Sequence, residues 1–255
     1  MAAVRYYLQY VLWQCGAAWR NVAKVVTNYG TLLDEIQRLN KKNEPVCLVT
    51  FNYDTLLDDA LSNLGLPIQA LSDYTKKHPF YRVFKVHGSV NWARIVENKI
   101  QSQNPTHAWS VTHEWIQRAA ELRITDNYIL SPTYPTAVIG GRPAFPAIAI
   151  PVEREKNFEC PPTMIEELKE LLPRTSKVLV IGWRATEQHF LDLLKTHLRR
   201  GVHLHVVARD LIDAEDARVR ICRALTNNPP AHSSVSDEGF TSFILSRKAE
   251  EFLEM

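Results

Sequence analysis

Three short stretches hold side chains of the kinds that do chemistry, and each follows an apolar run. Asn52-Tyr53-Asp54 comes after Val46-Cys47-Leu48-Val49-Thr50-Phe51, His87-Gly88-Ser89 after Tyr81-Arg82-Val83-Phe84-Lys85-Val86, and Gly182-Trp183-Arg184 after Lys177-Val178-Leu179-Val180-Ile181. A carboxamide both donates and accepts hydrogen bonds, a carboxylate accepts them, and a neutral imidazole can take a proton near neutral pH. Each residue also has a purely structural use. Asp54 or Thr55 can cap a helix, with Asp58 completing a loose capping box. Asn52 can satisfy backbone groups in a tight turn, His87 can be a turn or supporting hydrogen-bond residue, and Gly182 suits a left-handed or close-packed position after a strand.

The elements that must position these turns are legible as apolar patterns. The run at 46–51 suits a parallel strand covered on both faces, and Leu56, Leu57, Ala60, Leu61 and Leu64 recur at helical spacing after it. Strand, polar turn and helix N-terminus in that order mark the edge where open α/β sheets bind ligands. Upstream, residues 4–39 read as two helices, with a strand into Cys15-Gly16-Ala17-Ala18 as the alternative for the first. Pro67–Leu71 reads as a short strand and Tyr81–Val86 as a better one. Residues 93–127, with a helical core at Thr112–Leu122, read as a helical insertion. Tyr128–Leu130 and Ala147–Pro151 are further strands, and a helix led by Pro161 or Pro162 runs to Leu172. The last third alternates: a strand at 177–181, a helix capped by Thr186, a strand at Val202–Ala208 and a helix at Leu211–Leu225. A loop at Asn227–Glu238, a strand at Gly239–Leu245 and a terminal helix complete it. The alternation predicts an α/β fold, a doubly wound parallel sheet in one domain spanning 1–255. The three polar turns then share one edge of the sheet and can converge on a crevice.

Bulk properties narrow the classes. The 255 residues carry a formal charge of +2, with no dense Lys/Arg run, so nucleic acid is not an expected partner. The four cysteines, Cys15, Cys47, Cys160 and Cys222, are scattered without a Cys-x-x-Cys pair. Structural zinc is therefore not expected, and Cys47 and Cys222 read as small buried hydrophobes in a reduced, cytoplasmic protein. His203 and His205 can share a strand face but lack further ligands, so no metal is expected. Residues 1–19 are interrupted by Arg5, Gln9 and Gln14 and do not read as a targeting segment. No apolar run approaches the roughly 20 residues of a membrane span.

The ordered set Thr50-Phe51-Asn52-Tyr53-Asp54, Lys85-Val86-His87-Gly88-Ser89 and Val180-Ile181-Gly182-Trp183 resembles the sirtuin-like superfamily, nearer its bacterial branch of NAD-consuming proteins. The resemblance covers roughly residues 20–210. It implies a sirtuin-like, Rossmann-type sheet, with residues 93–127 in place of the family's four-cysteine zinc module. It also implies NAD as substrate, hydrolysed to nicotinamide and ADP-ribose through a cation-like ribose comparable to that of glycoside hydrolysis. In that scheme Asn52 orients water or the ribose, Asp54 supports the nicotinamide-ribose end and His87 is the general base. Phe51, Gly88, Ser89, Gly182, Trp183 and Arg184 contact the dinucleotide, Gly182 by letting the backbone approach a ribose or phosphate. Such domains often serve in antiphage defence.

The chain departs from the pattern before Asn52, at Trp183-Arg184, and at Ala208-Arg209-Asp210, which lacks the Asn sometimes seen after that strand. The family opens with a strand and a Gly-Ala-Gly loop whose amides cradle the pyrophosphate; Cys15-Gly16-Ala17-Ala18 has a single glycine and lies in a segment that reads as helix. This implies an N-terminally truncated, late-started or degenerate member, with Arg142 or Arg184 as partial compensation. Trp183 and Arg184 replace small hydroxyl residues. The alternative function is therefore a catalytically inactive nucleotide- or ADP-ribose-binding or interaction domain. A homo-oligomer or a protein partner stays open.

Overall fold

A computed structural model describes residues 2–22, 27–40, 44–76, 78, 80–97, 114, 117–118, 121–131, 138–139, 142–150 and 158–255. The chain divides into two compact units. One holds Met1–Val25 and Pro45–Ile165; the other holds Val26–Glu44 and Glu166–Met255.

In the first unit, helix α1 (Ala2–Val22) is followed by strand β1 (Val46–Thr50), helix α3 (Leu56–Asn63), a single 3-10 turn at Leu71–Tyr74 and strand β2 (Tyr81–Lys85). Strands β3 (Gly88–Val96), β4 (Ile124–Leu130), β5 (Val138–Ile139) and β6 (Arg142–Ile148) follow. β1 and β2 pair in parallel, Val46 opposite Tyr81 through Thr50 opposite Lys85, so both strands end at the same edge. The other four form an antiparallel sheet in the order β4-β3-β6-β5. Phe84, Val86, Trp92, Ala147 and Ile148 lie in the deepest part of this unit's core.

Polar side chains fasten α1 to that sheet. Arg5 donates to the Ile148 carbonyl at 2.9 Å and pairs with Glu159 at 2.7 Å. Tyr6 donates to the Ala144 carbonyl at 2.7 Å, and Gln9 donates to the carbonyls of Val90 and Trp92 at 3.0 and 3.2 Å. Burial pushes the Tyr6 phenol above its ordinary range, consistent with a neutral hydroxyl used as a donor.

In the second unit, helix α2 (Asn28–Leu39) is capped by Thr27, whose hydroxyl accepts from the Gly30 amide at 3.1 Å. Helix α4 (Pro162–Leu171), within which the division between the units falls, leads to β7 (Lys177–Ile181) and α5 (Gln188–His197). β8 (His203–Val207), α6 (Leu211–Ala224), β9 (His232–Ser236), α7 (Gly239–Leu245) and α8 (Lys248–Glu254) complete the chain. β7, β8 and β9 form a parallel sheet in sequence order, and Asp210 caps α6 by accepting from the Asp213 amide at 2.9 Å.

The mixed α/β class agrees with the sequence pattern, as does parallel pairing in both units, but among the described residues the strands form three separate sheets, one of them antiparallel, rather than one doubly wound parallel sheet. Several expectations are corrected. Residues 93–96 and 124–127, expected inside a helical insertion, are strand and pair antiparallel in β3 and β4; the helical core expected at Thr112–Leu122 falls largely outside the described residues. Cys15–Ala18 is helix rather than strand and loop. Pro67–Leu71 contains no strand. The expected loop at Asn227–Glu238 contains β9, and Gly239–Leu245 is helix rather than strand. Glu187, not Thr186, holds the N-cap position of α5, and it makes no side-chain cap bond. Residues 132–137 and 140–141 lie outside the described residues.

Candidate functional site

The parallel register of β1 and β2 decides which residues meet. Thr50 stands opposite Lys85, so the turn at Asn52–Asp54 and the turn at His87–Ser89 leave adjacent strands at one level. The Val86 amide donates to the Thr50 carbonyl at 3.2 Å, extending the pairing past the strand ends. The Tyr53 carbonyl then accepts from the Val90 amide at 2.8 Å and from the Ser89 hydroxyl at 3.3 Å. Ser89 is fully buried and ties the two turns together rather than facing outward.

His87 lies among aromatic rings. Its imidazole meets Phe51 edge-on at 5.0 Å between ring centroids, and Tyr53 lies nearly parallel to it at 6.2 Å. The His87 carbonyl accepts from the Ala149 amide at 2.9 Å, which fixes its backbone against the segment after β6. Gly88 is required by both conformation and space. Its φ is +81°, and a Cβ there would sit 1.9 Å from the Ala147 carbonyl oxygen. Asn52 is exposed on the turn, its amide donating to the Thr50 hydroxyl at 3.1 Å.

Asp54 has one carboxylate oxygen already committed: Oδ1 accepts from the Leu56 amide at 3.0 Å, an Asx turn at the start of α3. Thr55, which holds the N-cap position, makes no cap bond. Its hydroxyl accepts from Arg20 of α1 at 2.8 Å. Asp58 closes no capping box. It is buried and pairs with Lys85 at 2.9 Å, while Lys85 also donates to the Asp54 carbonyl and Tyr74 donates to the other oxygen of Asp58. Burial, with the Asp58 carboxylate beside it, pushes the Tyr74 phenol well above its ordinary range. Sequence patterning gave no role to Lys85 and Tyr74, since Lys85 is one of two basic residues in the run at 81–86, with Arg82.

Phe51, Asn52, Asp54, His87, Gly88 and Ser89 are thus gathered in the first unit. Gly182, Trp183 and Arg184 belong to the second, where they follow β7. Gly182 has φ +67° with open space around its Cα, and its amide donates to the Val207 carbonyl at 2.9 Å. Trp183 packs edge-on against Phe190 at 5.3 Å and donates to the Glu187 carboxylate at 2.5 Å. Arg184 is exposed, and its carbonyl accepts from Arg220 at 2.8 Å.

Among the described residues, no group of three or more His, Cys, Asp or Glu could hold a metal ion, and no helix is long and apolar enough to cross a membrane. The four cysteines are free; Cys47 and Cys222 are half-buried rather than buried, and burial pushes the Cys47 thiol up to about 11. Comparison with protein-family models, with curated proteins and with solved structures returned no match.

Proposed function

We propose that this chain is a sirtuin-like, Rossmann-type NAD-binding protein that hydrolyses NAD to nicotinamide and ADP-ribose. The observation that supports the reading is the pairing of the Asn52–Asp54 turn with His87 at the common end of two parallel strands. Water adds to C1′ of the nicotinamide ribose as the C–N bond breaks, nicotinamide leaves with the bonding electrons, and the proton of the water passes to His87. Asn52 orients the water or the ribose hydroxyls. Asp54 supports the nicotinamide-ribose end with its second carboxylate oxygen, since the first caps α3. Phe51 shapes the ribose side of the site, and the buried Gly88 and Ser89 hold the His87 turn in place behind it; the resemblance alone assigns Gly182, Trp183 and Arg184 of the second unit to dinucleotide contacts. The cellular setting that goes with this activity is cytoplasmic antiphage defence by NAD depletion.

Incubation of the purified protein with NAD, followed by nicotinamide release, tests the reading. His87→Ala and Asn52→Ala should each lower the rate by roughly 100-fold or more, the scale of one general base or one positioned polar group. Equal rates in wild type and both variants would remove these residues from the reaction.

A second reading, a nucleotide- or ADP-ribose-binding domain without turnover, is favoured by α1. The segment Cys15–Ala18 lies inside that helix, so no Gly-rich cradle for a pyrophosphate stands there. Calorimetric titration separates the two: ADP-ribose binding without nicotinamide release supports the second.

A further inference from the structure

The Lys85 side chain is wholly buried and Asp58 nearly so, and a buried ion pair of this kind is weak evidence for stability. The desolvation of two charges offsets most of their attraction, and well-packed apolar replacements are often as stable. What apolar residues cannot reproduce is the second bond of the ammonium. Lys85 donates to the Asp58 carboxylate at 2.9 Å and also to the main-chain carbonyl of Asp54, inside the first polar turn. Lys85 itself ends β2, two residues before His87. One cation therefore ties the Asn52–Asp54 turn to the strand that leads into the His87 turn. Asp58 is held in turn by the Tyr74 hydroxyl, and Tyr74 accepts from the Trp92 indole at 3.3 Å.

We infer that Lys85 is a positioning residue for this site, setting the Asn52–Asp54 turn against His87 through the Asp54 carbonyl, with Asp58 and Tyr74 as its buried anchor. The activity part of the test rests on the proposed function; the exchange part does not.

A single Lys85→Met change leaves Asp58 charged and unpaired, so the decisive variant is Lys85→Met with Asp58→Leu. It should fold, melting somewhat below the wild type because the buried Tyr74 hydroxyl loses its acceptor. In the folded variant the Leu56 amide, capped by Asp54, should exchange with solvent roughly tenfold faster or more, the scale of a lost charge-assisted hydrogen bond, while amides in the middle of β2 keep their protection. Nicotinamide release, with the rate normalised to the folded protein counted from its native amide signals because a smaller folded fraction also lowers apparent kcat at constant KM, should show kcat reduced by a similar factor with KM nearly unchanged. Unchanged Leu56 exchange in the folded double variant would overturn the inference. If the wild type releases no nicotinamide, the proposed function fails and the exchange result still decides the positioning role. If the double variant does not fold, NMR of the wild type decides instead. A Lys85 ammonium signal coupled across the hydrogen bond to the Asp54 carbonyl carbon supports the inference, and a rapidly exchanging ammonium without that coupling overturns it.

Discussion

Asp54 is where a structural and a chemical role compete for one carboxylate. As a cap it needs only an acceptor at Oδ1, which Asn supplies equally well. Asp54→Asn should therefore keep the melting temperature, whereas Asp54→Ala should lose about 1 kcal/mol in chemical denaturation. The proposed role needs the charge near a cation-like ribose, so both variants should release nicotinamide more slowly. Wild-type turnover in Asp54→Asn would reduce the residue to a cap. The glycines make a similar contrast. Gly88 combines φ +81° with backbone 1.9 Å from a would-be Cβ, whereas Gly182 has φ +67° and open space. Gly88→Ala should destabilise by about 2–4 kcal/mol and Gly182→Ala by about 1–2 kcal/mol, measured by urea denaturation. A loss of nucleotide affinity in Gly182→Ala, at that small cost in stability, would mark the glycine as a place of close ligand approach.

At the scale of elements, the packing of α1 rests on a buried polar cluster. Glu159 accepts from Arg5 at 2.7 Å and from Tyr128 at 3.2 Å, with Arg94 at 3.5 Å. Glu159→Ala leaves the buried Arg5 guanidinium without its paired carboxylate and should cost roughly 3–5 kcal/mol in urea denaturation, while Arg5→Met, which leaves Glu159 its other two partners, should cost less. The elements that the sequence made legible are those whose pattern is local. β1, β2, β7 and β8 are short apolar runs between polar turns, and α2, α5 and α6 carry helical stripes, so their own residues specify them. β9 was hidden because His232-Ser233-Ser234-Val235-Ser236 has little apolar character. It is strand because its backbone pairs with β8 in register and its serines meet His205 at 2.7 and 3.0 Å. Gly239–Leu245 shows the converse. Its Phe, Thr and Ile favour strand by propensity, yet Phe243 and Ile244 are buried on one side of a helix, with Phe243 against His205. The site was legible as two polar turns, because residue type and a following strand end are sequence properties. The lysine anchor was not, because a long side chain reaching from β2 to α3 leaves no spacing to read.

For the molecule as a whole, thirty Lys and Arg against twenty-eight Asp and Glu leave almost no net charge to make stability depend on pH through general repulsion. The dependence should instead come from individual half-buried groups, and in the second unit two kinds act in opposite directions. His205 is held below the ordinary histidine value of 6.5, first by burial and then by Lys248 and His232, with Glu238 opposing. His189 is lowered mainly by burial as well. For both, the unfolded chain takes a proton before the folded one, so stability is intact above pH 6.5 and is lost as pH falls through the folded value. Glu35 is raised above the ordinary 4.5 by burial and by the Glu250 carboxylate. There the unfolded chain ionises first, and stability falls as pH rises from 4.5 through the folded value. Replacing one member of each kind separates them. His205→Gln keeps hydrogen-bonding groups for Ser234 and Ser236 but cannot titrate, so its stability should fall less steeply than wild type on acidification from pH 6.5. Glu35→Gln should remove the opposing fall on alkalinisation from pH 4.5. Urea denaturation across that range, with amide exchange of β8 as the local readout, checks both slopes. Parallel wild-type and His205→Gln curves would show that the imidazole between the serines and Phe243 takes its proton equally readily folded and unfolded.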